Sequence, residues 1–354
     1  MAKKGFLTTR EPQQSPLVAK VNQMAQAARL REQAAYETPD LFGDTIATPP
    51  NTEVHTDAEH TEHKRPKLLP VRHDRDFFLA DLLDYAIKDD GASMEAPIFT
   101  LATQPDLSTW HWQSKDGNRA VTVTPSVLGR ATQHDKDVLI FVVSQMTEAM
   151  NRDREDAKNK AVRFVVYDYL VATNKTTGGR DYDRLEFAFE RLRGTSIKTD
   201  IRTGGQRVKE GFGIIDKWKI IEKSPDDERM IAVEVTLSDW LFNAVQAHEV
   251  LTIHRDYFRL RKPLERRLYE LARKHCGQQA AWTIGLELLR EKSGARSHIR
   301  AFRNQVIAIA DAHTLPEYRM SYNREKDQVT FYTKDQQKLI AAVTTGKISI
   351  PGET

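Results

Sequence analysis

Apolar residues recur at helical spacing in two well-separated stretches of the chain. In the stretch 180–193 they are Tyr182, Leu185, Phe189 and Leu192, and in the stretch 297–313 they are Ile299, Phe302, Val306 and Ile309. Each set follows the period of about 3.6 residues that places side chains on one face of a helix. The spacing therefore predicts two amphipathic helices, each with one buried stripe and with basic or amide side chains on its other faces.

The same order of elements surrounds both helices. Each is preceded by a shorter apolar helix, over 166–173 and 284–292, and by a turn that contains glycine. Each is followed by alternating apolar and polar residues, over 195–222 and 318–333, which predict a β-hairpin. Helix, turn, helix and hairpin in this order are typical of a winged-helix reader of DNA. We therefore expect an α+β fold with two tandem winged-helix domains and a disordered N-terminal arm.

Composition divides the chain into four parts. Residues 1–73 form an N-terminal arm, in which 16–36 is compatible with a short helix and the acidic, proline-rich remainder predicts a disordered linker. Residues 74–248 are expected to form the first winged-helix domain with a small β extension, and 249–336 the second. Residues 337–354 are expected to be a C-terminal tail. With 354 residues, of which 40% are hydrophobic, the chain is long enough for two cores of ordinary size.

The chain lacks the sequence features of exported and membrane proteins. Cys276 is the only cysteine, which excludes an intrachain disulfide and leaves no thiolate cluster for a structural zinc ion. No stretch reaches the roughly 18 uninterrupted apolar residues of a membrane span, and the Met1 end lacks the apolar centre of a signal peptide. We therefore expect a soluble protein of a reducing cytoplasm, with no membrane partner.

The net charge of +3 is too small to indicate a nucleic-acid partner, but the charges are unevenly distributed. The interval 37–63 has seven acidic residues and no lysine or arginine. The interval 251–303 has 13 basic residues against five acidic ones. This basic interval contains most of the second predicted unit, so its charge favours DNA binding there.

The predicted helices and hairpins carry side chains that can read or hold duplex DNA. Arginine donates two hydrogen bonds to guanine in the major groove, and asparagine pairs with adenine. The candidates for base readout are Ser297, Arg300, Arg303 and Asn304. The candidates for phosphate contact are Arg180, Arg184, Lys198, Arg202, Arg207, Lys209, Arg266, Arg267, Lys274 and Arg296. The alternative is that such helices present a solvated face, on which Glu186 and Glu190 pair with arginines in the first unit.

Sequence motifs for catalysis and for metal binding are absent. There is no Gly-x-x-x-x-Gly-Lys-Ser/Thr phosphate loop, and no pair of histidines separated by one residue that would hold the metal of a strand-nicking enzyme. His55, His60, His63 and His73 lie in an acidic stretch without the spacing of metal ligands, so we expect them to be solvated. The sequence therefore predicts no catalytic residue, no metal and no cofactor, and a protein that acts through binding energy.

Five strings of residues resemble a known family. They are KDDGASMEAPIF at 88–99, VTPS at 123–126, HDKD at 134–137, TGGRDY at 177–182 and RDYF at 255–258. In this order they resemble the plasmid replication initiator protein A family, and the resemblance covers roughly 77–333. It implies two winged-helix domains that bind repeated double-stranded DNA sites at a plasmid origin in the bacterial cytoplasm.

The resemblance also implies what the two domains do and which partners they meet. Initiators of this kind help to open adjacent AT-rich DNA and recruit the host replicative helicase, with no covalent chemistry. The C-terminal domain is expected to make most base contacts, and the N-terminal domain is expected to contribute phosphate contacts and dimerisation. Origin DNA, the host helicase and a second copy of the chain are therefore the expected partners.

Two further interpretations stay open at the level of sequence. A transcriptional repressor, acting on its own promoter, would use the same DNA-reading domains without an initiation role. The long N-terminal arm favours an initiator, because a simple repressor needs little beyond the reader and a dimer contact. Asp40, Leu41 and Phe42 resemble the end of short peptides that dock on the replicative sliding clamp, although Thr38 and Pro39 depart from the fuller pattern. The sliding clamp is therefore a further candidate partner.

Overall fold

The computed structural model describes residues 68–73, 86–113, 117–203, 206–224, 227–277 and 279–345. The helix expected over 16–36, the acidic interval 37–63 and the string Asp40, Leu41 and Phe42 lie outside these residues. His55, His60 and His63 lie outside them as well.

The first half of the described chain centres on one buried helix. Its elements are β1 (Lys88–Asp90), α1 (Gly91–Glu95), β2 (Trp110–Gln113), β3 (Arg119–Thr124), α2 (Lys136–Asn151), a 3-10 turn (Glu155–Lys158), β4 (Ala161–Val165), α3 (Val166–Ala172), α4 (Gly179–Gly194), β5 (Ser196–Thr203), β6 (Gln206–Gly213), β7 (Ile215–Ser224), β8 (Asp227–Leu237) and α5 (Asp239–Gln246). Helix α2 is apolar on more than one face, which places it in the core. We call β2 to α5 the N-terminal module.

The second half begins with a short strand and a long helix. Its elements are β9 (Val250–Thr252), a 3-10 turn (Arg255–Arg259), α6 (Pro263–Cys276), β10 (Ala281–Gly285), α7 (Leu286–Ser293), α8 (Ile299–Ala312), β11 (Tyr318–Asn323), β12 (Gln328–Thr333) and α9 (Gln336–Thr344). Proline starts α6 at a position where no backbone N–H is needed. We call β9 to α9 the C-terminal module.

Both modules repeat one arrangement of helices and strands. Each has a three-stranded antiparallel sheet in which the last strand lies between the other two, in the orders β4-β8-β7 and β10-β12-β11. In each, the first strand runs directly into a helix, a second helix follows, and a hairpin returns to the sheet. The expected buried stripes are present, since Leu185 and Phe189 on α4 and Phe302 and Val306 on α8 are buried. The predicted mixed helix and sheet fold is confirmed.

The hairpin that follows α4 differs from the prediction. Strands β5 and β6 do pair as a hairpin, but they join β2 and β3 in a separate four-stranded sheet. The hairpin equivalent to β11 and β12 is β7 and β8. The sequence pattern predicts one strand over 206–222, whereas the chain passes after Gly213 from the four-stranded sheet into the sheet of β4, β8 and β7. A side chain at Gly213 would lie 3.0 Å from the carbonyl oxygen of Ile215, so glycine is what permits this sharp change.

The segment of β1 and α1 packs on the C-terminal module although it precedes the N-terminal module in sequence. Strand β1 pairs antiparallel with β9, with Lys88 opposite Thr252. Met94 on α1 is fully buried in the core of the C-terminal module, beside Leu268 on α6. The expected boundary at 248 assigned this segment to the first domain. In the structure β1 and α1 instead pack on the C-terminal module, and the described residues of both modules lie within one unit, His63–Thr354.

The described parts of two end segments make contacts that the sequence did not predict. Residues 337–354 were expected to be a tail, but α9 begins with the Asp335 carboxylate capping the backbone N–H of Gln337 and Lys338, and Ala342 is buried. Residues 68–73 were assigned to the linker, but the N–H of Leu69 donates to the carbonyl oxygen of Arg259 at 3.0 Å. None of the helices in the described ranges combines the length and the apolar content needed to cross a membrane.

Candidate nucleic-acid interface

Helix α8 presents a polar face opposite its buried stripe. Arg300 and Asn304 are both exposed and lie one helical turn apart, so their side chains are neighbours. The helix begins after His298, whose Nδ1 accepts a hydrogen bond from the backbone N–H of Arg300 at 3.3 Å. Two of the four predicted base-reading residues therefore stand together on an accessible helix face.

Ser297 lies in the turn before α8 and is held by its backbone. The Nη1 of Arg290, on α7, donates to the carbonyl oxygen of Ser297 at 3.1 Å. Gly294 ends α7 with a φ of 73°, in the left-handed region. The turn between the two helices is thus fixed by a glycine and by an arginine of the first helix, and Ser297 is half-buried beside the start of α8.

Arg303, the remaining predicted base-reading residue, is engaged within the protein. Its Nη2 donates to Asp327 Oδ2 at 3.0 Å, and its Nε donates to the hydroxyl of Tyr322 at 2.9 Å. These contacts raise the pKa of Arg303, through the hydrogen bond to Asp327 first and the one to Tyr322 second. The hydrogen bond from Arg303 first, and the one from Tyr322 second, lower the pKa of Asp327. Arg303 therefore ties α8 to the hairpin of β11 and β12.

The tip of that hairpin carries two exposed basic residues that the sequence reading did not select. Arg324 and Lys326 lie in the turn between β11 and β12, and both are exposed. The side-chain Oδ1 of Asn323 accepts a hydrogen bond from the backbone N–H of Lys326 at 3.0 Å and shapes this turn. The sequence signal that could have identified them is a pair of basic residues at the turn of a predicted hairpin. The tip of an extended hairpin is where it meets a partner.

The predicted phosphate contacts of the N-terminal module are mostly exposed. Arg180, Arg184, Lys198, Arg207 and Lys209 are exposed on α4, β5 and β6. Arg202 lies on β5 opposite Arg207. Of these, Arg184 Nη1 donates to Asp181 at 3.1 Å, and Arg207 Nε donates to Asp200 at 2.7 Å. The module therefore offers a dispersed basic surface whose arginines are partly neutralised by neighbouring carboxylates.

Arg266 and Arg267 were expected to contact phosphates, and the structure contradicts this. Their side chains are 3% and 2% exposed. Arg266 Nη1 donates to Asp137 Oδ1 at 2.5 Å, which joins α6 to α2. Arg267 Nη1 lies 3.1 Å from Glu270 Oε2. A buried cation that is already paired cannot reach a phosphate without unfolding its surroundings, so both residues are structural.

Lys274 and Arg296 are also held by the protein rather than free for DNA. Lys274 Nζ donates to the carbonyl oxygen of Gly91 at 2.7 Å, at the start of α1. Arg296 Nη1 donates to Asp106 Oδ1 at 2.9 Å, and its side chain remains 47% exposed. Arg296 thus retains access to solvent while it joins the turn before α8 to the segment between α1 and β2.

A buried network of charges lies between α2, α6 and the segment before β2. Lys136 Nζ contacts Asp89 Oδ2 at 2.6 Å and Glu270 Oε2 at 3.2 Å, and all three side chains are almost fully buried. The hydroxyl of Tyr257 donates to Glu270 Oε1 at 2.7 Å. Burial raises the pKa of Asp89, and the charge of Lys136 opposes that rise. Residues from distant parts of the chain therefore meet in one polar cluster.

The comparison with known families covers all the residues of this network. The profile described as Replication initiator protein A matches residues 88–320. The chain belongs to that family. Three of the five strings that carry the resemblance, at 88–99, 134–137 and 255–258, contribute Asp89, Lys136 and Tyr257 to the buried network. Residues from three of the strings that carry the resemblance therefore meet in one buried cluster.

Similar proteins extend this finding. A protein of Wigglesworthia glossinidia brevipalpis named "Putative replication protein" is 33% identical over 273 residues, which cover 76% of this chain and 98% of that protein. A crystal structure of domains 2 and 3 of RctB has a TM-score of 0.52 and 14% sequence identity, and the match covers 69% of this chain and 98% of the RctB chain. The RctB likeness shows a shared fold.

The family match includes the polar face of α8 but not the whole hairpin that follows. It ends at Met320, within β11, so Tyr322, the tip with Arg324 and Lys326, and Asp327 lie beyond it. The matched range thus contains the buried network and the exposed helix. The contacts that attach the hairpin tip to α8 involve Tyr322 and Asp327, which lie outside the matched range.

Proposed function

We propose that the protein initiates plasmid replication by binding repeated double-stranded DNA sites at a replication origin. The observation that carries the proposal is the exposed face of α8, where Arg300 and Asn304 stand one turn apart above a buried stripe. Membership of the replication initiator protein A family supports an initiator role. The bound sites lie beside an AT-rich tract that the protein helps to open.

In this proposal both modules are winged-helix readers. The repeated order of helices and strands, with the last strand in the middle of each sheet, supports that assignment. Helix α8 enters the major groove, where Arg300 contacts guanine and Asn304 contacts adenine. Lys198, Lys209 and the hairpin tip of the C-terminal module contact phosphates, which sets the position of the protein along the duplex.

The proposed function requires no catalytic step and no cofactor. Binding energy opens the AT-rich DNA, because distorting a duplex is offset by the additional contacts that the distortion permits. The host replicative helicase, the sliding clamp and a second copy of the chain are the proposed partners, and the bacterial cytoplasm is the proposed location. These partners follow from the initiator role.

Footprinting on the DNA that flanks the gene of this protein tests the proposal. We expect protection of several direct repeats beside an AT-rich tract, with permanganate reactivity appearing in that tract when the protein is added. Protection of one site over the promoter, with no reactive tract, would instead support the transcriptional repressor. Arg300→Ala, at an exposed position, is expected to remove repeat-specific protection while binding to random-sequence DNA persists.

A further inference from the structure

The guanidinium of Arg303 joins α8 to a strand and a turn. Its Nε donates to the Tyr322 hydroxyl at 2.9 Å and to Asp327 Oδ1 at 3.2 Å, and its Nη2 donates to Asp327 Oδ2 at 3.0 Å. The Tyr322 hydroxyl also donates to Asp327 Oδ1 at 2.5 Å. We call these three side chains the hairpin clamp. They close a ring of hydrogen bonds across the hairpin and the helix.

Asp327 adopts a backbone conformation that is costly for most residues. Its φ is +48°, in the left-handed region where glycine or asparagine is less strained. Its carbonyl oxygen accepts a hydrogen bond from the N–H of Leu286 at 2.9 Å, at the start of α7. Asp327 therefore contacts α7, α8 and β11 at once. The two side-chain contacts of its carboxylate give a physical reason for aspartate at a position that suits glycine better.

The clamp determines where the basic tip of the hairpin stands. Arg324 and Lys326 are exposed, and Asp327 follows Lys326 directly in the chain. The partner of Asp327, Arg303, lies on α8 between the exposed Arg300 and Asn304 in sequence. The strands and the backbone hydrogen bond from Leu286 attach the tip to the sheet and to α7, and the clamp attaches it to α8. The clamp therefore fixes both cations relative to the polar face of that helix.

We propose that Arg303 is a positioning residue, which acts through Tyr322 and Asp327 to hold the cations of the hairpin tip beside the exposed face of α8. Helix and tip then engage one duplex together, the helix through base edges and the tip through phosphates. This inference rests on the proposed DNA-binding function. It replaces the expected base contact of Arg303, because a guanine contact would require that guanidinium to release the Asp327 carboxylate.

The salt dependence of DNA binding by the full chain tests the clamp. The probes are a duplex of gene-flanking DNA and a random-sequence duplex of equal length. The main variant is Asp327→Asn, since asparagine tolerates the left-handed backbone but carries no charge. We expect its affinity for both probes to fall by the same factor, about 3- to 10-fold. We also expect the slope of log affinity against log salt to become shallower by about one to two units, as two phosphate contacts are lost.

Two further variants separate positioning from a loss of stability. The double variant Arg324→Gln and Lys326→Gln is expected to make the salt slope of DNA binding shallower than in the unaltered chain. When the same two changes are added to Asp327→Asn, we expect little further effect on the slope, because the tip is then already displaced. Arg152→Gln breaks an exposed ion pair with Glu148 on α2 and is the matched control, expected to leave affinity and slope unchanged. The melting temperature of each variant checks its folding, and a loss of stability alone does not alter the slope.

The results that would contradict the clamp differ from those that would contradict the proposed function. If Asp327→Asn leaves both affinities and the slope unchanged, while Arg303→Gln weakens only the gene-flanking complex, Arg303 reads a base and the clamp is overturned. If the unaltered protein binds neither duplex, the proposed function is overturned and the clamp with it. Retained binding with a shallower slope in Tyr322→Phe would support the clamp a second time.

Discussion

Arg267 donates hydrogen bonds to carbonyl groups at the C-terminal ends of two helices. Its Nη1 donates to the carbonyl oxygens of Ser93 and Met94, at 3.0 and 2.9 Å, and its Nη2 donates to the carbonyl oxygen of Lys292 at 2.8 Å. Carbonyl groups in the last turn of a helix have no partner within that helix. Arg267 supplies these partners to α1 and α7, while Glu270 balances its charge. At the scale of a residue, burial gives Arg267 a structural role in place of the DNA contact that the sequence predicted.

Replacing Arg267 by methionine is therefore expected to destabilise the protein without a selective effect on DNA. We expect Arg267→Met to lower the free energy of unfolding by about 3 to 5 kcal/mol, because Glu270 loses a buried partner and several carbonyls lose their donors. Urea unfolding followed by circular dichroism measures this. Arg300→Met, at an exposed position, is expected to change stability by less than about 0.5 kcal/mol. Equal unfolding midpoints for the two variants would contradict the structural role of Arg267.

The turn between α7 and α8 is constrained by its neighbour as well as by its own backbone. Gly294 has a φ of 73°, and a Cβ atom added there would lie 2.6 Å from Cβ of Pro97. Pro97 belongs to the segment that leads from α1 to β2. The exposed helix α8 is therefore aligned against a part of the chain that lies far away in sequence. At the scale of an element, the position at which α8 begins depends on this contact.

Gly294→Ala tests that dependence. We expect a loss of about 1 to 3 kcal/mol in the free energy of unfolding, from left-handed strain and from the clash with Pro97. We also expect weaker binding to gene-flanking DNA, since α8 must shift to relieve the clash. Gly178→Ala is the matched control before α4, where a Cβ atom meets nothing within 4 Å. A Gly294→Ala protein as stable as the Gly178→Ala protein would show that the turn is not constrained in this way.

Helix α1 is joined to the C-terminal module by ionic contacts near the surface as well as through the buried network. Glu95, the last residue of α1, lies 3.2 Å from His275 on α6 and contacts Lys292 on α7. The contact with His275 and the contacts with Lys292, opposed by partial burial, lower the pKa of Glu95 from 4.5 to about 2. A carboxyl whose pKa is lower in the folded chain stabilises that chain only while it is ionised.

The pH dependence of stability checks this link at the scale of the whole molecule. The contribution of Glu95 is expected to be complete above about pH 4.5 and to be lost as the pH falls through 2. The difference in unfolding free energy between the unaltered protein and Glu95→Gln should therefore shrink as urea unfolding is repeated from about pH 5 to 2. Glu155→Gln, in the 3-10 turn of the N-terminal module, controls for the loss of one charge. A difference that does not change over this range would contradict the assigned link.

Sequence periodicity determined the helices that matter most for the proposed function. The apolar stripes of α4 and α8, and the exposure of Arg300 and Asn304, follow from the 3.6-residue period alone. The repeated order of helix, turn and helix was also readable, whereas the hairpin expected after α4 was assigned to the wrong strands. These features are local, because a period or a turn residue acts through its near neighbours in the chain. The family resemblance, too, was visible in short strings.

The tertiary structure determined which side chains are buried and which strands pair, and local sequence patterns do not encode either property. Arg266 and Arg300 are both arginines on amphipathic helices, yet one is buried against Asp137 on α2 and the other is exposed. The sheet that β5 and β6 join, and the partner of β1, likewise depend on pairing across long separations in sequence. The sequence by itself determined which helices form and which faces are apolar. The fold decided which cations remain accessible to DNA, because burial and ion pairing arise only when distant segments pack together.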